Sequence, residues 1–163
     1  ALGSGDPEYN SLLFRLGTDF HWKARTNIGY NAVVAQRIYA GCDLFLMPSH
    51  YEPCGIGQMN AMRYGALPLV RETGGLADSV ENYNNGDGER GTGFMFQWEE
   101  ADALYRTLLW AIRTFHERPT AWQRMQERAM RTDFSWQRSA LEYEKLYRKA
   151  AERHRSARNV ASG

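Results

Sequence analysis

The sequence predicts an α/β fold in which a parallel sheet carries helices on both faces and further helices follow. Leu44–Met47 is a run of four apolar residues, as in a strand buried on both faces of a parallel sheet. Short apolar runs alternate with segments of helical periodicity, which favours right-handed βαβ units. From about residue 100 onward the periodicity is helical. The 163 residues suffice for one domain with a substantial core.

The first third of the chain predicts two helices and a short strand. Asp6-Pro7 indicates a helix start, with a capping carboxylate before proline at the first helical position. Leucines at positions 12, 13 and 16 give that helix an apolar face. Residues 26–30 predict a short strand that ends at a glycine and an aromatic residue. Apolar residues between positions 33 and 39 mark the next helix, which closes near Gly41.

The strand at 44–47 opens the central part of the fold. Pro48 ends it, because proline lacks an N–H, and Pro53 and Gly55 force a turn before a helix near 57–64. A strand is predicted at 67–70, and Thr73-Gly74-Gly75-Leu76 then leads into a short helix at 77–80. Glycine and asparagine at 81–93 indicate a loop before a last strand at 94–96.

Three helices and a tail complete the prediction. The helices lie at about 100–116, around Trp122 to Met130, and after Ser135, which is positioned to cap the last one. The residues from 153 onward are polar and basic, and we expect them to be disordered. The predicted organisation is therefore one domain at 1–152 and a basic tail at 153–163.

Composition narrows the function classes. A formal net charge of +1 gives no global field that would recruit nucleic acid or an anionic membrane. No run of about 18 apolar residues predicts a membrane-spanning helix. Cys42 and Cys54 cannot form a disulfide framework and suit free thiols in a reducing compartment. The chain begins with neither methionine nor a signal peptide, so we expect it to be a piece of a longer protein.

Candidate site residues gather where predicted strands end. Glu52 and Cys54 follow the strand at 44–47 and precede a helix, which is where open α/β sheets bind ligands. The alternatives are a solvated loop carboxylate for Glu52 and a small buried filler for Cys54. Tyr30, at the end of the preceding strand, is either a core residue or an aromatic ring on which a nucleobase stacks.

The glycine turn after the next strand predicts an anion-binding backbone. At Thr73-Gly74-Gly75-Leu76 no Cβ shields the N–H groups of the glycines, and the following helix dipole favours a diphosphate. A plain turn is the alternative. The four histidines do not pair with the cysteines at zinc-site spacing, so no metal site is predicted. These residues together indicate a nucleotide- or phosphosugar-binding domain and leave its substrate open.

A set of motifs in a fixed order resembles the bacterial glycogen synthase and plant starch synthase family. The resemblance extends to about Tyr147 and is most specific in the combination of Glu-Pro-Cys-Gly with Thr-Gly-Gly-Leu-Ala-Asp. The motifs are Leu2-Gly3-Ser4-Gly5-Asp6, Ile28-Gly29-Tyr30, Leu46-Met47-Pro48-Ser49, Glu52-Pro53-Cys54-Gly55, Gln58-Met59, Met62-Arg63-Tyr64-Gly65, Thr73-Gly74-Gly75-Leu76-Ala77-Asp78, Gly91-Thr92-Gly93-Phe94 and Phe134-Ser135-Trp136.

The resemblance implies most of the C-terminal, Rossmann-like donor-binding domain of a two-domain GT-B glycosyltransferase. Such enzymes transfer glucose from ADP-glucose or UDP-glucose to the non-reducing end of an α-1,4-glucan, with retention and without an obligatory metal or cofactor. We therefore expect a cytoplasmic enzyme, or a plastid one in a plant. Another GT-B transferase and a non-catalytic nucleotide-sugar-binding module are the alternatives.

Roles follow from the resemblance residue by residue. Tyr30 would stack on the donor base, and Glu52 would hold the donor glucose and stabilise an oxocarbenium-like transition state. Cys54 and Gly55 would line the same pocket, with Gln58 near the donor. The backbone of the glycine turn would face the diphosphate and glucose through Thr73, Gly74, Gly75 and Leu76.

Two departures from the family pattern bear on activity. Related glycosyltransferases often carry a second glutamate, eight positions after the first, that holds the ribose. This chain has Asn60 at that position. The starch synthase branch of the family also generally lacks that glutamate. The arginine and lysine that clamp the donor phosphates come from a segment that precedes Leu2 in the family, as does the N-terminal domain that holds the acceptor. We therefore expect the isolated chain to be nearly or wholly inactive.

Overall fold

A computed structural model describes the backbone of residues 1–161 and the side chains of residues 1–155. Two compact units are present, one spanning Ala1–Met130 and one beginning at Arg131. The first unit contains five strands and six helices in the described residues: β1 (Leu2–Gly3), α1 (Pro7–Asp19), β2 (Asn27–Ile28), α2 (Ala32–Gly41), β3 (Leu44–Met47), α3 (Gly57–Arg63), β4 (Leu67–Arg71), α4 (Gly74–Ser79), β5 (Phe94–Phe96), α5 (Ala101–Glu117) and α6 (Pro119–Arg131), whose last residue opens the second unit.

All strand pairs are parallel, which confirms the predicted α/β class, but the strands form two sheets. One sheet has the order β1-β2, and the other has the order β3-β4-β5. Leu44 is the partner of Leu67 in the larger sheet, and Leu69 is the partner of Phe94. Each pair of consecutive strands within a sheet is joined through a helix, as parallel pairing requires.

The prediction that residues 44–47 form the fully buried strand is wrong. β3 is only partly buried, and Leu46 is 44% exposed, because β3 lies at the edge of its sheet. The central position belongs to β4, in which Leu67, Leu69 and Val70 are completely buried. An apolar run thus predicts a parallel strand but does not say whether that strand is central.

The core of the first unit lies between β4, β5, α5 and α6. The ring of Phe94 contacts that of Trp110 edge-on at a centroid distance of 4.9 Å, and Tyr83 stacks on Trp110 at 5.8 Å. Tyr83 is 2% exposed although it belongs to the stretch predicted as a loop. An isolated parallel bridge between Asn82 and Gly93 holds both ends of that stretch beside the sheet.

The capping of α1 and the start of α4 differ from their predictions. α1 begins at Pro7 as predicted, but the Asp6 side chain makes no capping hydrogen bond. The amide of Asn10 instead exchanges two hydrogen bonds with the backbone of Gly5, at 3.0 and 2.8 Å. α4 begins at Gly74 rather than at residue 77, so the glycine pair lies in the first turn of the helix.

The second unit is dominated by α7 (Trp136–Ala161). Ser135 caps this helix, since the N–H of Arg138 donates to its hydroxyl at 3.5 Å. The helix runs past residue 153, where we expected a disordered tail to begin, and the last two residues lie outside the described residues. The division into a domain at 1–152 and a tail at 153–163 stays a prediction. Within residues 1–161, no helix is long and apolar enough to cross a membrane.

Candidate functional site

The loops that follow β3 and β4 touch through their backbones. The N–H of Gly75 donates a hydrogen bond to the carbonyl oxygen of Glu52 at 2.9 Å. A Cβ added to Gly74 would lie 2.1 Å from that oxygen, and one added to Gly75 would lie 2.0 Å from the carbonyl oxygen of Cys54. Gly74 also has a φ of +46°, which disfavours other residues. The glycine pair is therefore required for the contact between the two loops.

Most of the N–H groups that the sequence suggested for a diphosphate already have acceptors in the protein. Thr73 donates its N–H to Arg71 at 2.9 Å, Gly75 to Glu52, and Leu76 to Thr73 at 3.1 Å. Among the described residues, no acceptor serves the N–H of Gly74. The glycine turn thus offers one free backbone donor at the start of α4, and its other amides hold the turn and its contact with the Glu52 loop.

The buried side chain of Gln58 holds the loop that contains Glu52 through hydrogen bonds to its backbone. Its side chain is completely buried, and Nε2 donates to the carbonyl oxygens of Cys54 at 3.2 Å and Gly55 at 3.0 Å and to the Ser79 hydroxyl at 2.9 Å. The Ser79 hydroxyl donates to the carbonyl oxygen of Gly75 at 2.6 Å. One amide therefore links the loop after β3 to α4. Oε1 of Gln58 is buried without a partner within residues 1–155.

Gly55 completes this arrangement. It has a φ of +70° and is buried, and a Cβ there would lie 2.5 Å from Oε1 of Gln58. The loop can therefore fold over Gln58 only with glycine at this position.

Arg71, at the end of β4, fixes the start of the same loop. Its Nε donates to the carbonyl oxygen of Ser49 at 2.8 Å, and Nη2 donates to that of His50. The ring of His50 also pairs with the Glu99 carboxylate at 2.5 Å, which joins this loop to the segment after β5. Arg71 and Ser79 are site-supporting residues that sequence reasoning missed, since neither belongs to a recognisable motif.

The side chains of Glu52 and Cys54 are partly or wholly accessible to solvent. The Glu52 side chain is half-buried, and no residue within 1–155 forms a hydrogen bond or ion pair with its carboxylate. Cys54 is an exposed free cysteine, so the interpretation as a buried filler is wrong. By contrast, burial raises the pKa of the Cys42 thiol, which lies at the opposite end of β3. The edge of the sheet thus presents an unpaired carboxylate and an accessible thiol.

Tyr30 follows β2, in the smaller sheet. Its side chain is 89% exposed, so it is not the core residue that one interpretation required. An exposed phenol ring can stack on a planar partner. No group of three or more His, Cys, Asp or Glu residues converges on a possible metal position in the described part of the chain.

Comparison with known proteins decides the family. The family model for glycosyl transferases group 1 matches residues 26–129, which include both loops and Tyr30. The chain belongs to this family. Its fold and the position of the touching loops at the carboxyl edge of the sheet agree with that membership.

Glycogen synthases are among the similar curated proteins. The chain is 46% identical to that of Desulforudis audaxviator over 159 residues, which cover 98% of this chain and 32% of the relative. It is 45% identical to that of Moorella thermoacetica over 156 residues, with 96% and 32% covered. The chain thus spans about a third of the length of these relatives.

Solved structures give the same result. The catalytic domain of starch synthase IV from Arabidopsis thaliana, bound to ADP and acarbose, matches with a TM-score of 0.75 at 33% identity and covers 92% of this chain and 31% of that one. A sucrose-phosphate synthase from Thermosynechococcus elongatus matches with a TM-score of 0.58 at 22% identity, which shows the fold alone. The resemblance to the glycogen and starch synthase family is confirmed.

Proposed function

We propose that this chain is the donor-binding part of a retaining glucosyltransferase that elongates an α-1,4-glucan from ADP-glucose or UDP-glucose. The observation that carries the proposal is the backbone contact between Glu52 and Gly75. It joins a half-buried, unpaired carboxylate to a helix start with one free N–H. The hydroxyls of a sugar need hydrogen-bond acceptors, and a diphosphate needs hydrogen-bond donors. The loop with the carboxylate therefore suits the sugar, and the helix start suits the diphosphate.

The chemistry assigns a task to each group. As the bond between C1 of glucose and the diphosphate oxygen breaks, its electron pair leaves with the diphosphate and positive charge grows on the sugar ring. The Glu52 carboxylate would stabilise that positive charge and hold the glucose hydroxyls, while the N–H of Gly74 would donate to the diphosphate. An acceptor hydroxyl then bonds to C1 from the face that the diphosphate leaves and gives up its proton to the departing diphosphate oxygen, which retains the configuration at C1.

The remaining residues would shape the donor pocket. Exposed Tyr30 would stack on the base, and Cys54 and Gly55 would line the glucose side. Gln58 would act through the loop carbonyls that it holds, because its side chain is completely buried. The acceptor glucan and the N-terminal domain of a GT-B enzyme are proposed partners, and the cytoplasm, or a plastid in a plant, is the proposed location. No metal or cofactor is part of the proposal.

The test is glucose transfer by the full-length protein, assayed with both ADP-glucose and UDP-glucose. We expect Glu52→Gln to lower kcat by orders of magnitude while the melting temperature stays unchanged. Glu117→Gln, which alters an exposed carboxylate at the end of α5, is the matched control. Transfer at the wild-type rate by Glu52→Gln would overturn the role of Glu52. Donor binding without transfer in the wild type would favour a non-catalytic module, and transfer to a non-glucan acceptor would favour another GT-B enzyme.

A further inference from the structure

The loop that carries Glu52 is linked by side chains to the ends of two other strands. Arg71, at the end of β4, donates to the carbonyl oxygens of Ser49 and His50. The ring of His50 then pairs with the carboxylate of Glu99, which follows β5, at 2.5 Å. In the sheet, β4 lies between β3 and β5. The pair of His50 and Glu99 therefore spans the carboxyl end of β4.

These contacts form a closed cycle. β4 and β5 are joined at their ends, because Arg71 is the register partner of Phe96 and the N–H of Glu72 donates to the carbonyl oxygen of Phe96 at 2.8 Å. From Phe96 the backbone leads to Glu99, whose carboxylate contacts the His50 ring, and Arg71 holds the His50 backbone. Loss of the pair would leave the start of the loop attached to β4 but not to the segment after β5.

The exposure of the pair decides what it can contribute. The side chain of His50 is 83% exposed and that of Glu99 is 53% exposed. An exposed ion pair adds little to stability, since water screens the charges and both side chains lose rotamer freedom. That loss is smaller here, because Arg71 already fixes the backbone of His50. We therefore expect the pair to act on the position of the loop and hardly on the melting temperature.

The position of this loop bears directly on Glu52. The carbonyl oxygen of Glu52 is held by the N–H of Gly75 at 2.9 Å, whereas the start of the loop is held through His50, which precedes Glu52 by only one intervening residue. A shift at His50 is therefore transmitted to the carboxylate. Misplacement of a catalytic group by about 1 Å can lower a rate by up to ~100-fold.

We propose that Glu99 is a positioning residue for glucose transfer, which acts through the ring of His50 to hold the Glu52 carboxylate against the donor glucose. This inference rests on the proposed function, in which Glu52 stabilises positive charge on the sugar. Neither Glu99 nor His50 has to touch the donor. Loss of the pair should therefore lower kcat and kcat/KM together and leave the KM for the nucleotide sugar nearly unchanged.

Glu99→Ala in the full-length protein tests the contact. We expect hydrogen exchange at the backbone amides of residues 49–52 to be at least about twofold faster, because the loop opens more often. We expect kcat to fall about twofold to fivefold, the range that an exposed ion pair can supply. The melting temperature should stay within about 2 °C of the wild type. Normal kcat or unchanged exchange in Glu99→Ala would overturn the proposal.

Glu100→Ala is the matched control. It makes the same substitution at the next residue, and the exposed carboxylate of Glu100 has no hydrogen-bond or ion-pair partner within residues 1–155. We expect this variant to retain wild-type exchange and wild-type kcat. An equal loss of kcat in Glu99→Ala and Glu100→Ala would assign the effect to the charge of the segment and overturn the role of the pair.

Substitutions of His50 show whether Glu99 acts through its ring. His50→Ala should reproduce the loss in Glu99→Ala, and the double variant should lose no more than either single variant, because the two residues make one contact. His50→Arg should keep kcat near the wild-type value, since a guanidinium also donates to a carboxylate. It should give no such rescue when Glu99 is alanine. Additive losses in the double variant would contradict the proposal.

The same experiments separate a failure of this inference from a failure of the proposed function. If the wild-type protein transfers glucose and Glu99→Ala does so at the same rate, the proposed function stands and the positioning role fails. If the wild-type protein transfers no glucose, the proposed function fails and the positioning role fails with it. Transfer by the wild type with a lower kcat in Glu99→Ala, restored by no change other than a residue that pairs with position 50, supports both.

Discussion

The carbonyl oxygen of Glu52 accepts a hydrogen bond from the N–H of Gly75, at 2.9 Å. This bond joins the loops after two neighbouring strands, β3 and β4, at the edge where parallel sheets bind ligands. It orients the backbone of the residue that we propose as the charge-stabilising group. Substitutions that separate the loops should therefore affect transfer even when they leave the Glu52 side chain in place.

The first prediction concerns the close approach of the loops. Gly75→Ala should lower the free energy of unfolding by about 1–3 kcal/mol, because the added Cβ would lie 2.0 Å from a backbone oxygen that cannot move alone. The same variant should lower kcat in the full-length protein. Gly41→Ala is the control, since no atom lies within 4 Å of its added Cβ. Urea unfolding of both variants checks this; equal stability of the two would contradict it.

The second prediction concerns the buried amide. Gln58→Met keeps the length of the side chain but removes the donor that serves two loop carbonyls and Ser79. We expect a loss of about 2–4 kcal/mol in unfolding free energy, because buried acceptors lose their partner. Gln123→Met, on the exposed side of α6, should be nearly neutral. Unfolding curves measure both, and a neutral Gln58→Met would show that water replaces the amide.

The third prediction assigns a positioning role to Arg71. Arg71→Met should release the carbonyls of Ser49 and His50 and speed backbone hydrogen exchange across residues 48–55. In the full-length protein, kcat should fall more than the KM for the nucleotide sugar rises, since the loop would still reach the donor but lose its catalytic geometry. Arg113→Met, at an exposed position of α5, is the control. A change confined to stability, with normal kcat, would leave Arg71 a structural residue.

The fourth prediction separates the two thiols. At pH 8, iodoacetamide should modify Cys54 much faster than Cys42, because Cys54 is exposed whereas burial raises the pKa of Cys42. The raised pKa leaves less thiolate at Cys42 at a given pH, so its modification should require a higher pH. Mass spectrometry of digested protein measures both sites. A saturating nucleotide sugar should slow modification of Cys54 in the full-length protein, and faster modification of Cys42 than Cys54 would refute the prediction.

The local signals predicted most elements because they come from neighbouring residues. Pro7 starts α1, Ser135 caps α7, and the apolar runs at 44–47 and 67–70 are strands. The placement of β3 at an edge, and of β4 in the centre, depends on which strands pair. Pairing is a long-range property, and Pro68 in the second run even argues against a central strand, so the sequence could not identify β4 as the central one.

The sequence predicted that the two loops lie close together but not the hydrogen bonds that join them. Glu52 and the glycine turn do meet at one edge of the sheet, as strand order and the resemblance led us to expect. The tasks of Gly75 and Gln58 could not be inferred, because a backbone contact between two loops leaves no periodic pattern. The N–H of Gly75 and the side-chain amide of Gln58 both donate to carbonyl oxygens of the loop after β3, and only the folded structure shows these bonds.

The strand register has a consequence for how the chain forms during synthesis. Leu44 pairs with Leu67, and Leu69 pairs with Phe94, so each strand meets its partner about 25 residues later in the chain. Such spacing keeps sheet contacts local, and domains fold progressively as the N-terminal parts leave the ribosome. The residues of β3, α3 and β4 are synthesised before those of α5. The loops that contain Glu52 and Gly75 would therefore meet early, before α5 and α6 pack against the core.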